Sequence, residues 1–231
     1  MFLGEHIASK EKLIQACLEI LQEGKRNELY SVLPYIGVVR SPSFLPPLLE
    51  LLQSGRREQQ EFAAVALGSL GDSKAIGPLH EVFVEPSIFR KTDTQSLQAA
   101  IIMALGQIGD EGAIGPLLKI YDLDSRSATL RVTRRMWVLS AIGNIAQQGS
   151  MLGVKELTRL MRNKDTELRA HAVNELAVAF WHRPNDLPDT VLQQMLSLTR
   201  DGAQTVRNAA FWSLSDLADL GCSGARQHLR S

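Results

Sequence analysis

The sequence predicts an all-α fold, a right-handed superhelix of about six helix pairs behind an N-terminal capping helix. Three observations predict it. The peptide Ala66–Leu79 returns 38 residues later as Ala104–Leu117, identical at ten of fourteen positions. Apolar residues such as Phe62-Ala-Ala-Val-Ala-Leu67 fall at helical spacing and are mostly small, which lets helices approach closely. Hydrophobic residues make up 45% of the chain but aromatics only 6%, which suits a helical core of Ala, Leu and Ile.

Taken in order, Lys12 to Gln22 reads as one amphipathic helix, a cap over about residues 10–23. The repeats follow at about 27–53, 57–84, 94–122, 128–162, 166–200 and 204–229, in one continuous domain spanning 1–231. Each reads as helix, turn, helix. In the second repeat Gly68 and Gly71 are expected to end the first helix, and Asp72 to cap the next segment. Pro78 falls in the first turn of the second helix, where a missing N–H costs little. The first repeat aligns through Ile36-Gly37 and Leu45-Pro-Pro-Leu48. The fourth aligns through Ser140-Ala-Ile-Gly143, and the last two through Leu168-Arg169 and Val206-Arg207. Past Leu220 the last second helix reads as truncated.

These residues carry a family resemblance. Arg followed by small apolar residues, then Ala-Leu-Gly-x-Ile-Gly-Asp and Ala-Ile-x-Pro-Leu, resembles the HEAT-like repeat known from phycobilisome lyases, most closely at residues 60–121. The resemblance implies a stacking scaffold. It is shared by bilin lyase subunits, scaffolds and regulatory subunits, so it does not choose among activities.

Charge narrows the partner. Lys plus Arg and Asp plus Glu are each 25, which gives no case for general nucleic-acid affinity. Residues 1–115 hold 10 basic and 14 acidic side chains, and residues 116–231 hold 15 and 11, so the halves carry −4 and +4. Cys17 and Cys222 lie near opposite ends and read as two reduced, buried thiols. The absence of a secretory signal and of a long apolar run points to the cytoplasm, away from membranes.

Arg135, Arg169 and Arg207 occupy one column near the start of the first helices, with Gln60 and Gln98 in the same column earlier. Asp165 and Asp201 precede the last two. An Asp–Arg ladder tying adjacent repeats is the favoured reading, and an anion-binding row the competing one. His80-Glu81 is the chain's single His-Glu dipeptide, whereas the two-iron hydroxylases of this repeat type carry several, so no metal or other cofactor is expected. A HEAT-like DNA glycosylase family uses tryptophans, but Trp137 and Trp212 lie inside apolar helices and are expected to pack. Trp181, at a helix end before Pro184, is expected to be partly exposed.

The strongest surface signal lies on the second helices, which line the concave side in HEAT-type arrays. Lys155, Arg159 and Arg162 recur at i, i+4 and i+7. Aligning the leucines puts Glu50, Glu81, Lys119, Arg159 and Gln194 in one column, and Arg126, Arg131, Arg134 and Arg135 add positive potential nearby. The expected function is a non-catalytic protein-interaction scaffold. It would grip an acidic partner surface through Lys119, Lys155, Arg159, Arg162, Glu81 and Trp181, with a further contact at Phe89-Arg-Lys91. No nucleophile beside a base and no phosphate-binding loop is visible, so no intrinsic catalysis is expected. The alternatives are a bilin lyase or chaperone-like subunit, and a nucleic-acid-binding HEAT module.

Overall fold

The computed structural model describes residues 2–23, 26–85, 95–123 and 127–229. Thirteen α-helices make up the described residues, with short 3-10 turns between several of them and no strands. The helices are α1 (Phe2–Glu23), α2 (Arg26–Val39), α3 (Leu45–Ser54), α4 (Arg57–Leu70), α5 (Ile76–Val84), α6 (Gln95–Ile108) and α7 (Ile114–Asp122). They continue as α8 (Ala128–Gln147), α9 (Met151–Leu160), α10 (Thr166–Ala179), α11 (Asp189–Leu198), α12 (Gln204–Asp219) and α13 (Ser223–Leu229). None of the described helices is long and apolar enough to cross a membrane.

The chain forms two compact units, Met1–Pro116 and Leu117–Ser231, with the boundary inside α7. The charge asymmetry of the sequence follows this division. Pro116 and Leu117 are uncharged, so the first unit carries −4 and the second +4.

In the first unit α2, α4 and α6 stack as a layer of first helices, and α3 and α5 pack against them as second helices, with α1 against α2 and α3. Its core is built from Phe44, Phe62, Phe83, Leu48, Leu67 and Leu105, all fully buried. The turns repeat one device. Ser41, Asp72 and Asp110 each accept a bond from the backbone N–H two residues on, at 3.4, 2.9 and 2.7 Å, which starts the 3-10 turn leading into the second helix. Gly71 ends α4 at φ 72°, a left-handed conformation that glycine adopts without a Cβ penalty.

Gly68 has a different role from the expected one. It lies inside α4, buried, and a Cβ there would meet Ala104 Cα of α6 at 2.8 Å. It is therefore a contact glycine that lets two first helices touch, and Gly71 alone ends the helix.

In the second unit α8, α10 and α12 form the first-helix layer, with α9, α11 and α13 against it. Val138, Ile142, Leu157, Leu176, Met195 and Leu214 fill the core. Ser150 and Asp165 cap α9 and α10, accepting from Gly153 N–H at 3.1 Å and Glu167 N–H at 2.9 Å. The last second helix, α13, is seven residues long. Cys17 and Cys222 are buried free thiols in different units, and burial pushes the Cys17 thiol above its ordinary pKa.

Candidate functional site

The arginine column is a set of helix-end clamps. Arg169 on α10 turns back and donates through Nη1 to the carbonyls of Asn163 (2.8 Å) and Lys164 (3.1 Å), just past α9. Arg207 on α12 does the same for Asp201 (2.8 Å) and Gly202 (3.0 Å), past α11. Arg135 on α8 donates to the Tyr121 carbonyl at 3.1 Å and lies over its ring. Gln60 on α4 reaches the Leu52 carbonyl at 3.0 Å in the same way. Helix C-termini leave carbonyls without intrahelical donors and carry partial negative charge, which these side chains answer. Arg169 also reaches forward, its Nη2 meeting Asp201 Oδ1 at 2.9 Å. Among the described residues one Asp–Arg rung forms, Arg169 to Asp201, while Arg135 and Arg207 hold helix-end carbonyls and Asp165 caps α10.

The same geometry removes part of the expected positive potential. Arg134 is buried and donates to the Leu123 carbonyl, and Arg135 is held by Tyr121. These two close the end of α7 rather than face a partner. Arg126 and the Phe89-Arg-Lys91 segment lie outside the described residues.

The basic residues of the second helices remain at the surface. Lys155 and Arg159 are exposed on α9, and Arg162 is exposed just beyond it. Arg159 pairs with Glu156 on its own helix at 2.8 Å, with 59% of its side chain exposed. Arg162 Nη2 donates to Gln194 Oε1 on α11 at 3.2 Å, and Gln194 Nε2 donates to the Thr158 carbonyl at 2.9 Å. Gln194 thus sews α11 to α9. Asn163 Nδ2 donates to Tyr121 Oη at 2.7 Å, which ties the end of α7 to the α9 side. Burial raises the Tyr121 pKa, and the Arg135 and Arg159 charges oppose that rise. Lys119, two residues before Tyr121, is exposed on α7. Lys119, Lys155, Arg159 and Arg162 all belong to the second unit, whereas Glu81 is exposed on α5 in the first.

The tryptophans divide differently from expectation. Trp181 is 45% exposed in the turn after α10. Trp212 is 63% exposed and stands edge-to-face with Phe211 at 5.4 Å, so the expectation that it packs is corrected. The apolar stripe of α12 faces α10 and α11, and Trp212 lies on another side.

Sequence reasoning missed a polar cluster between α8 and α10. Ser140 Oγ donates to Glu175 Oε1 at 2.6 Å and lies 2.9 Å from His171 Nε2, which is itself 3.2 Å from the same carboxylate oxygen. His171 and Glu175 share a helix at i, i+4, a weak signal, but Ser140 meets them only through stacking. The serine proton goes to the carboxylate, and neighbouring helix N–H groups are bonded within their helices, so the cluster acts as a cross-helix clamp. Among the described residues no three His, Cys, Asp or Glu side chains converge to hold a metal ion.

Residues 97–122, which span α6, the Asp110 turn and α7, match the family model of the PBS lyase HEAT-like repeat. That segment, one helix pair, is what is similar to the PBS lyase HEAT-like repeat. The HEAT-like assignment agrees with the stacked helix pairs of both units. No curated protein sequence matches the chain. Among solved structures, human deoxyhypusine hydroxylase in complex with glycerol is similar at 16% identity, covering 94% of this chain and 91% of that one, with a TM-score of 0.33. The repeat matched at residues 97–122 is named for a lyase, and this corrects the expectation of no intrinsic catalysis. The likeness is too distant to bring the hydroxylase's activity to this chain.

Proposed function

We propose that this HEAT-like repeat scaffold binds an acidic surface or segment of another protein, through the basic side chains of the second helices in its Leu117–Ser231 unit. The observation that carries the reading is the grouping of exposed Lys155, Arg159 and Arg162 beside Gln194, with Lys119 on α7, in the unit that bears the net +4 charge. Gln194 holds Arg162 in place, which lowers the ordering cost when a carboxylate arrives. Fixed positive charge of this kind speeds the approach of an acidic partner and selects against basic ones.

A fluorescein-labelled polyglutamate peptide, titrated at several salt concentrations, tests the proposal. Binding that weakens with salt and exceeds binding to duplex DNA of equal charge supports it. Preference for the duplex would favour a nucleic-acid module instead, and no binding to the peptide would count against the proposal.

The lyase name of the repeat at residues 97–122 supports a second reading, a subunit that handles a bilin protein. A change in the visible absorbance of an added bilin protein would favour it.

A further inference from the structure

We propose that the acidic surface met by the basic second helices is a second copy of this chain, whose α3 and α5 present Glu50 and Glu81 to Lys119 and Arg159. The inference rests on the reading of those basic residues as a surface for carboxylates, and it names their occupant.

The repeat register places the four charges. Each stands midway between two buried residues: Glu50 between Leu48 and Leu52, Glu81 between Leu79 and Phe83, Lys119 between Leu117 and Tyr121, and Arg159 between Leu157 and Met161. A step of two residues turns a helix through about 200°, so the charged side chain stands opposite the buried pair and points away from the core. All four are exposed. The sign changes once along the series. Glu50 and Glu81 belong to the Met1–Pro116 unit, and Lys119 and Arg159 to the Leu117–Ser231 unit.

The charges are open to a partner. Helices α3 and α5 contain no Lys or Arg, and among the described residues Glu50, Glu81 and Lys119 have no ion-pair partner. Arg159 gives Nε to Glu156, yet 59% of its side chain is exposed, which leaves an edge of the guanidinium for a second carboxylate. The spacing also matches. Helix α5 packs against α3, and the Asn163–Tyr121 bond holds α9 beside α7. Each pair of like charges therefore lies on neighbouring helices, whose axes are typically about 8–10 Å apart. Laying α3 and α5 of one copy over α7 and α9 of another engages both carboxylates at once. The −4 and +4 of the two units orient that approach.

Exposed ion pairs make weak contacts that salt screens, so the test is sedimentation equilibrium of the full chain from about 10 μM to about 1 mM in about 20 mM salt. The average mass should rise above 25.5 kDa with concentration, and the rise should vanish by about 0.3 M salt. Excess polyglutamate, competing for Lys119 and Arg159, should also return the chain to 25.5 kDa. Two double variants locate the contact. Glu50→Lys with Glu81→Lys, and Lys119→Glu with Arg159→Glu, should each stay at 25.5 kDa with helicity unchanged, because the side chains are exposed. Their equimolar mixture should associate. Glu11→Lys with Glu19→Lys makes the same charge change at exposed positions of α1 and should leave association intact. A 25.5 kDa species throughout for the unaltered chain overturns the inference, as does a mixture that stays monomeric or an α1 variant that abolishes association equally. Polyglutamate binding without self-association overturns this inference alone, whereas loss of both removes the acidic-partner reading as well.

Discussion

Arg169 and Asp201 meet at 2.9 Å, joining the first helix of one repeat to the turn that opens the next. The pair does more than exchange charge. Arg169 holds two carbonyls past α9, while Asp201 accepts the Ala203 N–H at 2.8 Å at the entrance to α12. One contact thus fixes the end of one helix and the start of another. Removing Arg169 breaks both arms at a mostly buried site, so Arg169→Ala should lower stability by about 2–3 kcal/mol. Urea denaturation with an unchanged slope would read this directly, and a loss well under 1 kcal/mol would reduce the ladder to a surface pair.

Acid should act through the same carboxylate. The Arg169 guanidinium, and then the Ala203 N–H, hold the Asp201 carboxyl below its ordinary pKa. The folded pKa is depressed, so the stabilisation is complete above the unfolded value of about 4 and disappears as pH falls through the folded one. Asp201→Asn should therefore lower stability at pH 7 and flatten the acid limb of the stability profile. Parallel wild-type and variant curves below pH 4 would contradict the assignment.

The helix contact at Gly68 predicts an unusual sign. Alanine in a helix ordinarily gains up to about 1 kcal/mol over glycine. At Gly68 the added Cβ meets Ala104 Cα at 2.8 Å, so α4 and α6 must move apart. Overpacking of this kind costs about 1–3 kcal/mol, and Gly68→Ala should be destabilising overall. Gly77 on α5 faces open space, with nothing within 4 Å of the point a methyl group would occupy, so Gly77→Ala should be neutral or slightly stabilising. Thermal melts of the two variants, run together, separate the contact from intrinsic propensity.

What could be read in advance was the part that repeats. The Asp72 and Asp110 turns, Pro78 in the first turn of α5 and the arginine column all stood in the sequence as recurring positions. Periodicity could place Gly68 near a helix end but could not tell an ending glycine from a contact glycine, because only the neighbouring helix decides that. It also placed Trp212 in an apolar helix without showing which side of α12 is uncovered. Ser140, His171 and Glu175 come together across stacked helices, a proximity that side-chain spacing within one helix does not encode. Arg134 looked like its surface neighbours, yet it is buried against the end of α7.

The most direct measurement of the proposed role is the affinity of the double variant Lys155→Glu, Arg159→Glu for the polyglutamate peptide, compared with the unaltered chain across a salt series. Both side chains are exposed, and surface changes of this kind usually alter stability by within about 0.5 kcal/mol, so helicity should hold. Acidic-partner binding through these side chains predicts weaker affinity and a flatter salt dependence in the variant. Unchanged affinity and salt dependence in a folded double variant would contradict it, leaving these residues as a solvated face.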